Sequence, residues 1–325
     1  MWEKANTMQA TLIYNRNAGG IDQAAVEDLR EAIQEAGYQP VYKATSSQEE
    51  LDPILADIEG LVIAAGGDGT IRAIATRLVG KKAPLAILPM GTANNIATTL
   101  RLDGSPLEII AGLKNPERTF FDVGRVTSPW GIDYFLEGFG FGFFADLLES
   151  YDPNKGKSIL RSVKAILEIL PGYQAYHSHL KVDEQVFAGN YVLVEVLNTT
   201  AIGPWLKFAP QADPGDGVFE VVCLHEDEQE GFLSYLTGLL SEGLPDLKSV
   251  EHRQGRKLEI TWTGFAIHID GEVRPERSER PADRDPAVGA RPAYREVEDD
   301  QKIVAEVIPG ALELWLPPRP PEVGT

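Results

Sequence analysis

The sequence predicts an α/β N-terminal domain with a parallel sheet, followed by a β-rich, antiparallel sandwich-like second domain. Three observations carry that prediction. Strand-like and helix-like segments alternate four times in the first third, and polar, glycine-containing turns follow the strands. After Asp122 the pattern changes to short β-rich runs separated by turn signals. Alternation of the first kind gives parallel strands covered by helices, and turn-bounded short runs give antiparallel sheets.

The elements follow in order. Ala10 to Tyr14 is a first apolar strand, and Gln23 to Ala36 places Leu29, Ile33 and Ala36 at helical spacing. Pro40 to Ala44 reads as a second strand and Thr45 to Ile58 as a second helix, with Thr45, Ser46 and Ser47 as N-cap candidates. Leu61 to Ala65 is the third strand, followed by a glycine turn and a helix over Ile71 to Val79. Pro84 to Leu88 is the fourth, with a helix from about Asn94. These elements make a domain of about residues 8–125. A second domain over 126–318 contains the runs Tyr134 to Phe139, Tyr191 to Asn198, Val218 to Leu224, Leu258 to Thr263, Phe265 to Ile269, Ile303 to Ile308 and Leu312 to Leu316. One helix, Ser158 to Leu170, interrupts them, and a charged, Pro-rich loop over 273–301 has no hydrophobic period.

A chain of 325 residues fits two domains at roughly 150 residues each. The net charge of −19 disfavours nucleic acid as a partner, because a phosphate backbone needs a basic footprint. The single cysteine, Cys223, excludes a disulfide framework and fits a reducing compartment. No apolar run approaches the ~20 residues of a membrane span, and the expected location is cytoplasmic.

Three strand-end turns carry groups suited to phosphate. Gly66-Gly67-Asp68-Gly69-Thr70 supplies backbone N–H groups without obstructing Cβ atoms. Asp68 would repel phosphate directly, so beside a nucleotide it makes sense next to Mg²⁺; the plain alternative is a tight turn with Asp68 capping a helix. Gly91, Thr92, Asn94 and Asn95 follow the fourth strand, offering a bare backbone, a hydroxyl and a helix cap. Asn15-Arg16-Asn17-Ala18-Gly19 follows the first strand with a cation. Ligands of parallel sheets bind at carboxyl ends of strands, so three such turns together point to a nucleotide site.

Taken together these residues resemble the diacylglycerol kinase catalytic-domain family of soluble lipid kinases, which includes bacterial diacylglycerol kinases and sphingosine kinases. Gly66 to Thr70 looks like its central signature, Gly91 to Asn95 like its Gly-Thr-x-Asn-Asp element, and Asn15 to Gly19 like its first loop. Phe121-Asp122, Gly138-Phe139-Gly140-Phe141, Asp213-Pro214-Gly215-Asp216-Gly217 and Asp270-Gly271-Glu272 continue the match nearly to the end. The first signature is shared with NAD kinases; the late Asp-Gly-Glu in a β-rich domain favours the lipid branch.

The resemblance implies an ATP- and Mg²⁺-dependent kinase acting on a lipid hydroxyl, with catalysis in the cleft between the domains. Glu272 would be the proton acceptor, which residues alone would leave as a solvated Glu after an Asp-Gly hairpin, and Asp270 its close partner. Asp68 and Asp122 would belong to the Mg²⁺ network. Asn15 to Gly19, Thr45, Gly67 to Ala73 and Thr92 would contact ATP. Asp213, Asp216 and the carbonyl of Val218 would hold a structural Mg²⁺, an ordinary solvated turn being the alternative. The sequence departs from the family at Asn95, usually aspartate, and at Arg16 and Ala18, usually proline and serine. A NAD kinase-like enzyme and a binding protein that has lost turnover are the other two readings. The lipid partner implies transient contact with a membrane surface. The basic cluster Lys155, Lys157, Arg161 and Lys164 suits this, as it equally suits a helix docked on its own domain with solvated lysines.

Overall fold

A computed structural model of the chain describes residues 7–15, 23–150, 173–203, 207–228, 250–275 and 301–319. The expected Arg16 to Gly19 loop, the helix over 158–170 with its basic cluster, and all but the ends of the charged loop lie outside these residues. The chain divides into two compact units. The first comprises Met1–Val123, Pro214–Asp216 and Pro309–Thr325; the second comprises Gly124–Asp213 and Gly217–Ile308.

In the first unit, β1 (Gln9–Asn15), α1 (Gln23–Glu35), β2 (Gln39–Thr45), α2 (Leu51–Leu55), β3 (Leu61–Gly66), α3 (Asp68–Leu78), β4 (Leu85–Pro89), α4 (Asn95–Thr99) and α5 (Pro106–Gly112) follow one another. β1 pairs in parallel with both β2 and β3, and β3 with β4. Every residue of β3 is buried, as expected of a strand covered on both faces. The expected helix from Thr45 shortens to α2. Thr45 stays at the end of β2, its Oγ1 donating to the Tyr14 carbonyl at 3.3 Å, and the Ser46 N–H goes to the Glu50 carboxylate instead of a helical turn. Residues near the C-terminus return to this unit, where Leu314 pairs in parallel with Leu85 of β4.

The second unit takes over within β5 (Glu117–Ser128). It continues through β6 (Gly131–Phe135), β7 (Gly138–Gly142), α6 (Phe143–Ser150), β8 (Tyr176–Val182) and β9 (Gln185–Leu197). Then come β10 (Phe219–His225), β11 (Glu251–Gly255), β12 (Lys257–Thr261), β13 (Ile267–Ile269), β14 (Glu272–Arg274) and β15 (Lys302–Leu316). Pairings within the unit are antiparallel. β14, β13, β7, β9, β8 and β12 lie side by side in that order, followed by β15. Alternation along β9 feeds two cores: Val194 and Val196 join Phe139, Phe141, Ile267 and Ile269, while Leu193 and Leu197 join Phe143 and Phe144. The expected strand over Tyr134 to Phe139 is two strands, because the backbone N–H groups of Leu136, Glu137 and Gly138 turn to a carboxylate instead of a neighbour. The two expected C-terminal runs are one strand, β15, passing through Pro309 and Gly310. Its first half pairs with β12.

Candidate active site

Unit 1 brings two of the three predicted turns into contact. A Cβ built on Gly91 would stand 2.5 Å from the Gly67 Cα and 2.8 Å from the Asn94 Oδ1, so both glycines are required by the approach of the two loops. Asn94 holds its loop shut: its Oδ1 accepts the Gly91 N–H at 2.8 Å and its Nδ2 donates back to the Gly91 carbonyl at 3.1 Å. That folding requires a left-handed backbone at Asn94, φ 52°. Of the two cap candidates, Asn94 and Asn95, Asn94 is the N-cap residue of α4, but with its amide committed there its side chain caps nothing, and Asn95 lies within the helix. Asp68 caps the helix in its place. Its Oδ1 accepts the Ile96 N–H at 3.3 Å, and the N–H groups of Asn95 and Asn94 also bond the carboxylate. Burial pushes the Asp68 carboxyl above the usual aspartate range, and those backbone bonds pull it partly back.

Gly69 is the glycine in this turn that packing does not explain. A Cβ there meets nothing within 4 Å, and its backbone is not left-handed. It sits in the first turn of α3, whose N-cap, Gly67, provides no side-chain acceptor for the first amides. The Thr70 and Ile71 N–H groups donate to the Gly67 carbonyl at 2.9 and 3.0 Å, so the feature suited to a phosphate oxygen is the backbone beside open space at Gly69. Thr92 is exposed in the facing loop, and Asn95 is buried at the start of α4. Asp122 is also buried; its Oδ1 accepts the Gly310 N–H at 2.7 Å and its N–H donates to the Pro214 carbonyl. As carboxylates, Asp68 and Asp122 are hard oxygen donors of the kind Mg²⁺ requires. Asp213 and Asp216 are exposed. Among the described residues no group of three or more His, Cys, Asp and Glu side chains could hold a metal ion.

In unit 2 the Asp270-Gly271 pair forms the two-residue turn between β13 and β14, with φ of 48° and 79°. Positive φ at both positions is what a tight hairpin of this kind needs. The Asp270 carboxylate reaches back across the bend between β6 and β7. Its Oδ1 accepts the N–H groups of Glu137 and Gly138 at 2.8 and 2.9 Å, and its Oδ2 that of Leu136 at 2.9 Å. Glu272 leaves the same turn with its side chain 39 % exposed, held through Oε2 by the Arg274 guanidinium at 2.9 Å. Behind the hairpin, Glu195 of β9 and His268 of β13 meet across β7 at 2.7 Å, both wholly buried. They can do so because Gly140 stands between them in register without a side chain. Burial pushes the Glu195 carboxyl up, and the imidazole opposes that shift. Sequence reading missed Arg274, Glu195 and His268. A strand period of two places Arg274 on the side of Glu272, but the length of β14 was not apparent.

Comparison with known proteins identifies the family and the fold. Residues 9–126 match the model of the diacylglycerol kinase catalytic domain. Residues 153–315 match the YegS C-terminal NAD kinase beta sandwich-like domain. The chain is therefore a kinase, a phosphotransferase with an alcohol acceptor. A diacylglycerol kinase of Bacillus subtilis is 27 % identical over 285 residues, covering 81 % of this chain and 89 % of that protein. One of Staphylococcus saprophyticus is 26 % identical over 277 residues, covering 81 % and 88 %. The fold is that of a Bacillus anthracis diacylglycerol kinase structure, with TM-score 0.66, 18 % identity and coverage of 97 % and 99 %. The chain belongs to the diacylglycerol kinase catalytic-domain family and is a lipid kinase of that family. Among the described residues, no helix is long and apolar enough to cross a membrane.

Proposed function

We propose that the chain transfers the γ-phosphate of ATP, with Mg²⁺, to the hydroxyl of diacylglycerol. The observation that carries this reading is the β13–β14 hairpin. Asp270 receives three backbone N–H groups, and Glu272 extends from the same turn, partly exposed, as a carboxylate a substrate can reach. The Gly69 backbone at the start of α3 and the Gly91 loop would bind the phosphates, with Thr92 in the loop after β4 and Thr45 at the end of β2, two strands from β3. Asp68 and Asp122 would hold Mg²⁺, which offsets charge on the phosphates when bound. Glu272 takes the proton of the lipid hydroxyl. That oxygen bonds to the γ-phosphorus as the bond from phosphorus to the β,γ-bridging oxygen breaks, and ADP leaves. The lipid would be met transiently at a membrane surface.

Labelled phosphate transfer from ATP to diacylglycerol, a monoacylglycerol, a sphingoid base and a polyprenol in mixed micelles tests this, with NAD as a soluble acceptor. Label in diacylglycerol that is lost on chelation with EDTA is the expected result. Label in NAD alone, or ATP binding without label in any lipid, would reject the reading.

A further inference from the structure

β14 places Glu272 and Arg274 on one side of an edge strand, opposite Ile269 and Ile267 of β13. Both of those isoleucines belong to the apolar core, so two charged side chains leave the sheet at its rim on the core side. The guanidinium there has two acceptors and a third, ion-paired neighbour. Its Nη2 donates to Glu272 Oε2 at 2.9 Å, its Nη1 to the Val273 carbonyl at 3.1 Å, and its Nε lies 3.8 Å from Asp133 Oδ1 of β6. Arg274 is 32 % exposed and Asp133 28 %, so the cluster is neither free in solvent nor sealed. The charged groups on the elements around Glu272 are few. β6 brings Asp133. The turn after β13 brings Asp270, committed to three amides, and β13 brings His268, committed to Glu195. α6, which packs on β14, brings Asp146, which accepts both Tyr173 and Tyr176 hydroxyls, and Glu149. Arg274 is thus the cation among these groups, and it joins two carboxylates that would otherwise repel each other.

We propose that Arg274 is a positioning residue for Glu272: its guanidinium, braced on Asp133 and the Val273 carbonyl, fixes the direction in which the carboxylate meets the acceptor hydroxyl. This rests on the reading of Glu272 as the proton acceptor. A planar fork suits the task because it sets orientation as well as charge, which an ammonium cannot.

The test is the pH dependence of kcat and kcat/KM for diacylglycerol in mixed micelles with ATP. It compares the wild type with Arg274→Gln, Arg274→Lys, Asp133→Asn and Glu272→Gln, with melting curves for each. Arg274→Gln should lower kcat roughly tenfold with KM for ATP within about twofold. Its acid limb should move to higher pH, because a carboxylate without its cation holds its proton more tightly. Arg274→Lys should return the limb to its wild-type place without restoring kcat, and Asp133→Asn should give the smaller loss. An Arg274→Gln enzyme with an unmoved limb and wild-type kcat, beside an inactive Glu272→Gln, would overturn the role of Arg274 while leaving the base in place. An active Glu272→Gln would overturn both. Should Arg274→Gln melt well below the wild type, Arg274→Lys decides: a lowered kcat with the wild-type limb supports the role, and an unchanged kcat overturns it.

Discussion

The turn after β3 in the first unit and the hairpin after β13 in the second are built on the same device and leave different groups exposed. Each carries an aspartate whose carboxylate collects backbone N–H groups from another turn. Asp68 takes them from the start of α4 and Asp270 from the bend between β6 and β7. Burial dominates at Asp68 and pushes its carboxyl up. At Asp270 both oxygens are engaged by three short bonds on a left-handed turn. In the first unit the accessible feature left over is the open space beside the Gly69 backbone; in the second it is the Glu272 carboxylate. The most conspicuous acid of a motif can therefore shape the turn through its hydrogen bonds, while its neighbour stays accessible.

If Asp270 shapes its turn in this way, Asp270→Ala should have the largest effect. Three buried donors would lose a charged acceptor, which costs about 3 kcal/mol or more. Urea unfolding should show that loss, and phosphate transfer should fall at least a hundredfold as Glu272 loses its turn. A stable and active Asp270→Ala would mean that the two turns are not built alike.

Two glycine substitutions separate shape from contact in the first unit. Gly91→Ala forces a Cβ against Gly67 and Asn94, so ATP affinity should fall more than about tenfold with a stability loss of roughly 1–3 kcal/mol. Gly69→Ala faces open space within a helix, so stability should stay level or rise by about 0.5–1 kcal/mol. A several-fold loss of ATP affinity in that variant, read by calorimetry, would report the ligand alone.

Glu195 is the contrasting carboxylate, wholly buried and bonded to an imidazole. Its carboxyl is raised by burial, so the fold favours the protonated form. That contribution is present at low pH and lost as pH rises through the raised value. Glu195→Gln lacks the loss. Its melting temperature should therefore gain on the wild type as the pH rises from 5 to 8, and a gap independent of pH would count against the assignment.

Much of the first unit could be read from sequence, because a fully buried parallel strand such as β3 is an unbroken apolar run ending in glycine. The turns at Gly67 and Gly91 and the Asp-Gly hairpin were readable for the same reason: positive φ and close backbone approach demand particular residues. What escaped depends on partners distant in sequence. Nothing near Leu136 announces that its N–H will turn to Asp270, 134 residues later, and so split a predicted strand. The return of Leu314 beside Leu85 is equally non-local. Gly140 looked like a motif glycine; its reason is the Glu195–His268 pair that meets across it.

The most direct measurement is the turnover of Glu272→Gln with diacylglycerol micelles at saturating ATP, with ATP affinity measured alongside. A loss of about 10²–10⁴ in kcat with wild-type ATP affinity and melting temperature is expected if Glu272 takes the proton. Turnover within a few-fold of the wild type would contradict it.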